Sequence, residues 1–199
     1  MTQTPQSVRE KWNQRYLCAD QPQSPSAAEV LFNYRYLLPA KGFALDVACG
    51  LGGNALLLSE HGLDTFAWDI SDVAIAHLRR SALSQSLVVH ADVVDMLDHE
   101  FGVERFDVIT VVRYLERRVV PKLIQALKPG GLLFYQTYIR DKHPAIGPNN
   151  KEFLLAENEL LHLFADLKVL LYREEGRVGD ITQGLRNEAM LIAMKRAQP

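Results

Sequence analysis

The chain has 199 residues, a formal charge of −2, and 48% hydrophobic and 23% charged residues. That length and composition fit one globular domain with an ample core, and the balanced charge favours neither nucleic acid nor an anionic membrane as a partner. No apolar run approaches the ~20 residues that span a bilayer, and the opening MTQTPQSVREKW lacks the apolar core of a signal peptide, so a cytoplasmic protein is expected. The two cysteines, Cys18 and Cys49, have no paired spacing, and no histidine pair has helical metal-ligand spacing beside a carboxylate. Neither a disulfide framework nor a metal site is expected.

A first helix is predicted from Ser7, which forms a capping box with Glu10, to about Tyr16. A second begins with the Ser26–Glu29 pair and runs to about Leu38, before Pro39. The polar, proline-bearing DQPQSPSA connects them. From Phe43 the pattern changes. FALDV reads as a buried strand, NALLLSEH as a helix closed by Gly62, and TFAWD as a second strand. SDVAIAHLRRSAL is a helix with Ser71 as its N-cap, LVVH a third strand, Asp92 to Leu97 a loop or short helix, and the β-branched FDVITVV a fourth strand. Pro121 opens a helix to Leu127, KPGG is a turn, and LLFYQTY is the fifth strand. After the loop DKHPAIGPNN come a helix near Glu157–Phe164 and strands near Lys168–Arg173 and Asn187–Lys195, which suit an antiparallel pair. Alternation of strand and helix from Phe43 to Tyr138 predicts βαβ units and a mostly parallel sheet covered on both faces.

The segment Leu45-Asp46-Val47-Ala48-Cys49-Gly50-Leu51-Gly52-Gly53-Asn54 carries the first chemical signal. A glycine turn after a strand lets the backbone approach a ligand, the next helix presents free N–H groups, and α/β sheets bind ligands at the carboxyl ends of their strands. Asp69 ends the second strand, where an acid accepts both hydroxyls of a ribose; the alternative is a turn aspartate capping the helix that begins near Ser71. Asp92 follows the third strand and suits an adenine amino group or, equally, a helix cap. Two nucleoside ligands fit this frame, a nicotinamide dinucleotide and S-adenosylmethionine. Asp46, inside the strand, would repel a pyrophosphate but welcomes a sulfonium and an ammonium. The chain is also short for an added dehydrogenase substrate domain. A cysteine in such a turn packs or points its backbone at the ligand rather than acting as a nucleophile, which is the reading for Cys49.

LDVACGLGGN, WDIS, HADVV, FDVITVV and LKPGGLLFYQTY together resemble the motifs of class I S-adenosylmethionine-dependent methyltransferases. Within that class the chain is similar to the tellurite-resistance group and its small-molecule relatives, through AWDIS, the run Trp12-Asn13-Gln14-Arg15-Tyr16, and ENELLHLFADLKVLLYREE. Ala48 stands where the pattern usually has glycine. The resemblance implies a Rossmann-like, doubly wound α/β fold. Its seven-stranded sheet would be mostly parallel and end in an antiparallel hairpin. The length suits a single domain with 41–199 as its core, and residues 1–40, a helical lid segment, together with the loop Arg140–Lys151 are expected to cover the open carboxyl edge of the sheet and exclude water. The resemblance also implies S-adenosyl-L-methionine as cofactor, with Asp46, Ala48, Gly50 and Gly52 around the methionine part, Asp69 and Ile70 at the ribose, and Asp92 and Val93 at the adenine. Val112, Arg113 and Tyr114 would line the transfer site. Arg15 matches a position that in relatives helps fix the methionine carboxylate, and reads equally as an exposed helix arginine.

No Asn/Asp-Pro-Pro-aromatic turn follows the fourth strand, which argues against nucleic acid and for a small-molecule acceptor. Arg113, Arg140, Lys142 and His143 suit a cationic collar for an anionic acceptor, Lys142 reading better as part of a solvated loop. A nicotinamide-dependent oxidoreductase and a non-catalytic nucleotide-binding module are the alternatives. Oligomeric state is not legible.

Overall fold

The computed structural model describes residues 4–18 and 25–197. Seven strands form one sheet in the order β3-β2-β1-β4-β5-β7-β6. They are β1 (Phe43–Val47), β2 (Asp64–Asp69), β3 (Val89–Val93), β4 (Phe106–Val112), β5 (Leu127–Tyr138), β6 (Lys168–Arg173) and β7 (Glu188–Met194). The β1/β2, β2/β3 and β4/β5 pairs are parallel, whereas β7 runs antiparallel to both β5 and β6. This is the mostly parallel sheet with an antiparallel closing pair that the sequence predicts. The chain divides into two compact units, Met1–Glu100 and Phe101–Pro199. Among the described residues no helix is long and apolar enough to cross a membrane.

In the first unit, β1 buries four successive residues, Ala44 to Val47, as a strand covered on both faces does. At the sheet edge, β3 buries only Ala91. Helix α3 (Gly53–Glu60) and helix α4 (Asp72–Ser84) supply the other half of the core. Ala74, Ile75, Leu78, Ser81 and Ala82 form one buried stripe of α4, and Ile75, Leu78 and Ala82 pack in a cluster with Cys49, Ala55, Leu56, Ala67 and Ala91. Ser71 caps α4 as expected, its hydroxyl accepting the Ala74 N–H at 3.1 Å.

The N-terminal elements differ from expectation. Helix α1 (Pro5–Cys18) begins before Ser7. Thr4 is the cap instead, its hydroxyl accepting the Ser7 N–H at 3.3 Å, and Pro5 supplies a φ already suited to the first turn. The second predicted helix is one turn, α2 (Glu29–Phe32), followed by a 3-10 turn at Arg35–Leu37. Ser26 does not cap it. The Ala28 N–H is taken at 2.9 Å by Asn54 Oδ1 on α3, a tertiary bond invisible to a local capping rule. Of the connecting segment, residues 19–24 lie outside the described residues. The third strand runs from Val89 to Val93, later than the predicted LVVH, because its ladder on β2 continues through Trp68↔Asp92 and Asp69↔Val93.

In the second unit, β4 is almost entirely buried and β5 is buried from Gly131 to Thr137, while the edge strand β6 is exposed or half-exposed throughout. Tyr135 and Phe164 pack with ring centroids 5.5 Å apart, and the Tyr135 hydroxyl donates to the Tyr114 carbonyl at 2.8 Å. Helices α5 (Val120–Ala126) and α6 (Glu159–Leu163) fall where predicted, with Pro121 in the first turn of α5. KPGG is not a free turn but the opening of β5. Gly130 and Gly131 exchange backbone hydrogen bonds of 2.8 and 2.9 Å with Lys195, and the register on β4 shifts between Phe106 and Val108. A Cβ at Gly131 would lie 3.0 Å from the Phe106 carbonyl oxygen, so the close strand approach requires glycine.

Candidate functional site

The turn between β1 and α3 is built from left-handed residues, Ala48 at φ 52°, Gly50 at φ 53° and Gly52 at φ 88°. Its path is tied to β2, since the Cys49 N–H donates to the Trp68 carbonyl at 2.9 Å. The glycines do different jobs. A Cβ on Gly52 would lie 2.2 Å from Leu78 Cδ1, so Gly52 is required by packing against α4. A Cβ on Gly50 would meet only the tip of a side chain, the Tyr16 hydroxyl, at 2.8 Å. Gly50 is therefore the position at which the turn approaches whatever lies above it.

A buried carboxylate stands on each side of this turn. Asp46 is fully buried; Oδ2 accepts the Ala55 N–H at 3.1 Å and Oδ1 the Asn54 side-chain amide at 3.5 Å, in the first turn of α3. Asp69, 5% exposed, accepts the Gly50 N–H at 2.8 Å through one oxygen and the Ser71 N–H at 2.8 Å through the other. Burial raises the Asp69 carboxyl above its ordinary range, and its backbone hydrogen bonds only partly offset this. A carboxylate has about four acceptor sites, so these N–H groups do not exhaust Asp69.

Helix α1 brings Tyr16 over the turn. Asn13 docks α1 on the start of α4: its amide donates to Asp72 Oδ1 at 2.6 Å, and its Oδ1 accepts the Ser71 hydroxyl at 2.6 Å. The Tyr16 phenol is pushed up in pKa first by burial, then by the charge of Asp69, with Asp46 adding to it. Burial likewise raises the Cys49 thiol, reinforced by Asp46 and Asp69, and the thiol donates to the Gly50 carbonyl at 3.7 Å. Both shifts favour the protonated phenol and thiol over the phenolate and thiolate.

The remaining expected residues of this unit are more open. Arg15 is exposed on α1 with its guanidinium 5.1 Å from the Trp12 ring centroid. Ile70 is half-buried beside Asp69. Asp92 does not follow β3 but lies within it, and it and Val93 are exposed at the sheet edge. Arg79 lies 3.6 Å from the Asp92 carboxylate, with both side chains 60% exposed, a pair that contributes little stability.

In the second unit, Val112 ends β4 opposite Gln136, and Arg113 follows in the left-handed region at φ 53°. Its N–H donates to the Gln136 carbonyl at 2.8 Å and its Nε to Glu188 Oε1 at 2.7 Å. Glu188 is buried, and its other oxygen accepts the Gln136 side-chain amide at 2.5 Å. Burial opposes the Arg113 charge, but Glu188 outweighs it and raises the pKa. Arg113 is therefore a neutralised, positioned cation rather than one member of a free cationic collar. Tyr114, half-buried, turns its carbonyl to Tyr135. Arg140 and His143 are exposed, but Lys142 is only 7% exposed, which overturns the solvated-loop reading. Asn13, Gln136 and Glu188 escape a sequence reading. The single acid opening the otherwise apolar EAMLIAM was the one available signal for Glu188.

The strand order, the glycine turn after β1 and the acid ending β2 define the class I methyltransferase fold. The family model described as tellurite resistance protein TehB matches residues 12–196, and the chain belongs to that family. The Haemophilus influenzae protein named probable S-adenosyl-L-methionine-dependent methyltransferase TehB is 32% identical over 138 residues, covering 65% of this chain and 47% of that protein. A ubiquinone biosynthesis O-methyltransferase of Coxiella burnetii is 31% identical over 102 residues, 49% of this chain and 44% of that one. The chain thus matches about half the length of these curated relatives. The crystal structure of TehB from Haemophilus influenzae superposes with a TM-score of 0.66 at 21% identity, covering 94% of this chain and 67% of that one.

Proposed function

We propose that this protein transfers the methyl group of S-adenosylmethionine to a small-molecule acceptor. The observation that carries this is the pair of buried carboxylates, Asp46 and Asp69, flanking a glycine turn over which the Tyr16 hydroxyl lies at Gly50. Two like charges about 4 Å apart repel by about 4 kcal/mol at an effective dielectric of about 20. A pyrophosphate is therefore a poor guest, and a ligand carrying an ammonium and a sulfonium a good one. This favours S-adenosylmethionine over a nicotinamide dinucleotide. Family membership and the name of the Haemophilus influenzae relative support the same choice.

In this reading Asp69 and Ile70 hold the ribose, Asp92 and Val93 border the adenine, and Asp46 with the backbone of Ala48, Gly50 and Gly52 holds the methionine part. Arg15 neutralises its carboxylate. The bound donor supplies an electrophilic methyl carbon, and transfer is an in-line displacement that needs alignment and exclusion of water. Tyr16, held over Gly50 by the docking of Asn13 on α4, acts as a cover that shields the turn from water and moves as the donor enters. Arg113 and Tyr114, after β4, are the residues of the transfer step, and the acceptor is a soft or anionic nucleophile. Calorimetric titration with S-adenosylmethionine and with nicotinamide dinucleotides tests the donor. Methyl-donor turnover with thiols, amines and oxyanions separates an enzyme from a binding module. Binding of the dinucleotide in preference to S-adenosylmethionine overturns the reading.

A further inference from the structure

Strands β4, β5 and β7 are neighbours in the sheet, and a chain of polar groups crosses them where β4 and β5 end and β7 begins. Glu188, the first residue of β7, stands opposite Tyr138 on β5, and Gln136 lies two residues earlier on β5 and so on the same face. One Glu188 oxygen accepts Arg113 Nε at 2.7 Å, and the other accepts the Gln136 side-chain amide at 2.5 Å. The Gln136 carbonyl takes the Arg113 N–H at 2.8 Å. The Arg113 guanidinium carbon is 5.8 Å from the centroid of the Tyr138 ring. Residues of two other strands thus fix Arg113 from backbone to guanidinium, yet its side chain is 61% exposed. Among the described residues no hydrogen bond engages its two terminal nitrogens.

This arrangement is costly for the fold alone. The Glu188 side chain is 7% exposed, and the buried residues that follow it in β7, Ala189 to Ala193, are all apolar. An apolar residue in place of a buried ion is often as stable or more so. The attraction to a half-exposed arginine is screened by water. Arg113 also holds φ 53°, a conformation that disfavours a side chain. Backbone strain and a buried charge meeting in one ion pair mark a functional site rather than a source of stability.

We propose that Glu188, backed by Gln136, is a positioning residue for methyl transfer: it holds the Arg113 guanidinium in one orientation, so that the two terminal nitrogens meet the acceptor. This rests on the reading of Arg113 as a residue of the transfer step. Glu188 touches no reactant and acts through Arg113. An unanchored arginine loses rotamer freedom each time it meets a guest, and the anchor removes that loss in advance. Gln136 serves Glu188 in the same way, by holding its second oxygen.

The test is a double-mutant cycle on turnover. Benzenethiol, benzylamine and benzoate serve as thiol, amine and oxyanion probes, and the one that the wild-type protein methylates fastest is carried through the series. Glu188→Gln, which keeps the shape and loses the charge, is expected to lower kcat/KM at least about tenfold, the scale of one charge-assisted hydrogen bond, with S-adenosylmethionine affinity unchanged in calorimetry. Arg113→Met lowers it at least as far. The double variant is no slower than Arg113→Met, because Glu188 has nothing left to position. Full turnover by Glu188→Gln, or multiplied losses in the folded double variant, overturns the positioning role. Should Glu188→Gln not fold, Gln136→Leu takes its place in the cycle, and a loss that persists undiminished in the Arg113→Met background overturns the role. A second measurement needs no acceptor. The NMR signal of the Arg113 Nε–H, assigned by its absence in Arg113→Met, exchanges slowly with water in the wild type and rapidly in Glu188→Gln. Absence of wild-type turnover with all three probes counts against the methyl-transfer reading instead. The exchange then decides the anchor by itself: faster exchange in Glu188→Gln upholds it, and unchanged exchange overturns it.

Discussion

Gly52→Ala separates the two jobs of the glycine turn. The added methyl would sit 2.2 Å from Leu78 Cδ1, with Cγ at 2.8 Å and Cδ2 at 2.9 Å, in a cluster that also holds Ile75 and Ala82. Such overpacking costs about 1–3 kcal/mol. The backbone at φ 88° adds about 1–2 kcal/mol for any side chain there. The expected destabilisation is therefore about 2–5 kcal/mol, read from urea unfolding followed by circular dichroism. A double-mutant cycle isolates the steric part. Leu78→Ala alone costs about 2–5 kcal/mol as a buried truncation, yet in the Gly52→Ala background it removes the clash. The two changes should thus be sub-additive by about 1–3 kcal/mol, leaving the backbone strain. Strict additivity, or a Gly52→Ala protein as stable as the wild type, would refute the assignment of Gly52 to packing.

Asp69→Asn should weaken S-adenosylmethionine binding by about 1.5–3 kcal/mol in calorimetry, the scale of hydrogen bonds to a charged group; undiminished affinity removes Asp69 from the donor site. The same variant tests its titration. Burial raises the Asp69 carboxyl above its ordinary 3.8, so its contribution to stability is fully present below that value and is lost as pH rises through the raised one. The stability gap between wild type and variant should narrow or reverse over that interval in urea melts. Arg117 donates to both oxygens of Glu159, at 2.6 and 2.9 Å, and this hydrogen bonding lowers the Glu159 carboxyl below 4.5. Arg117→Met should cost about 1–3 kcal/mol at neutral pH; the part due to Glu159 is lost as pH falls below 4.5 through the lowered value, while the part due to the Glu152 and Leu154 carbonyls persists, and a loss wholly independent of pH contradicts the pairing. Removal of residues 1–20 should reduce turnover far more than it reduces global stability, and full turnover by the truncated protein rules out Tyr16 as a cover.

The order of strands and helices was legible because each element announces itself locally. FDVITVV is β-branched and apolar, and Ser71 stands one residue before an amphipathic run. The glycine turn and Asp69 were legible for the same reason, since backbone conformation and strand ends are written in adjacent residues. What local pattern cannot hold is a partner from elsewhere in the chain. Asn54 caps the α2 region across 26 positions, Lys195 draws KPGG into a strand, and β2 carries β3 out to Val93. The same holds for the charges. A sequence displays Arg113 and Lys142 alike as loop cations. Only the fold decides that Glu188, 75 positions away, pairs with the first, and that the second is 7% exposed with its ammonium donating to the His143 carbonyl. Burial and pairing are properties of three-dimensional neighbours, and an ion's energy depends on little else.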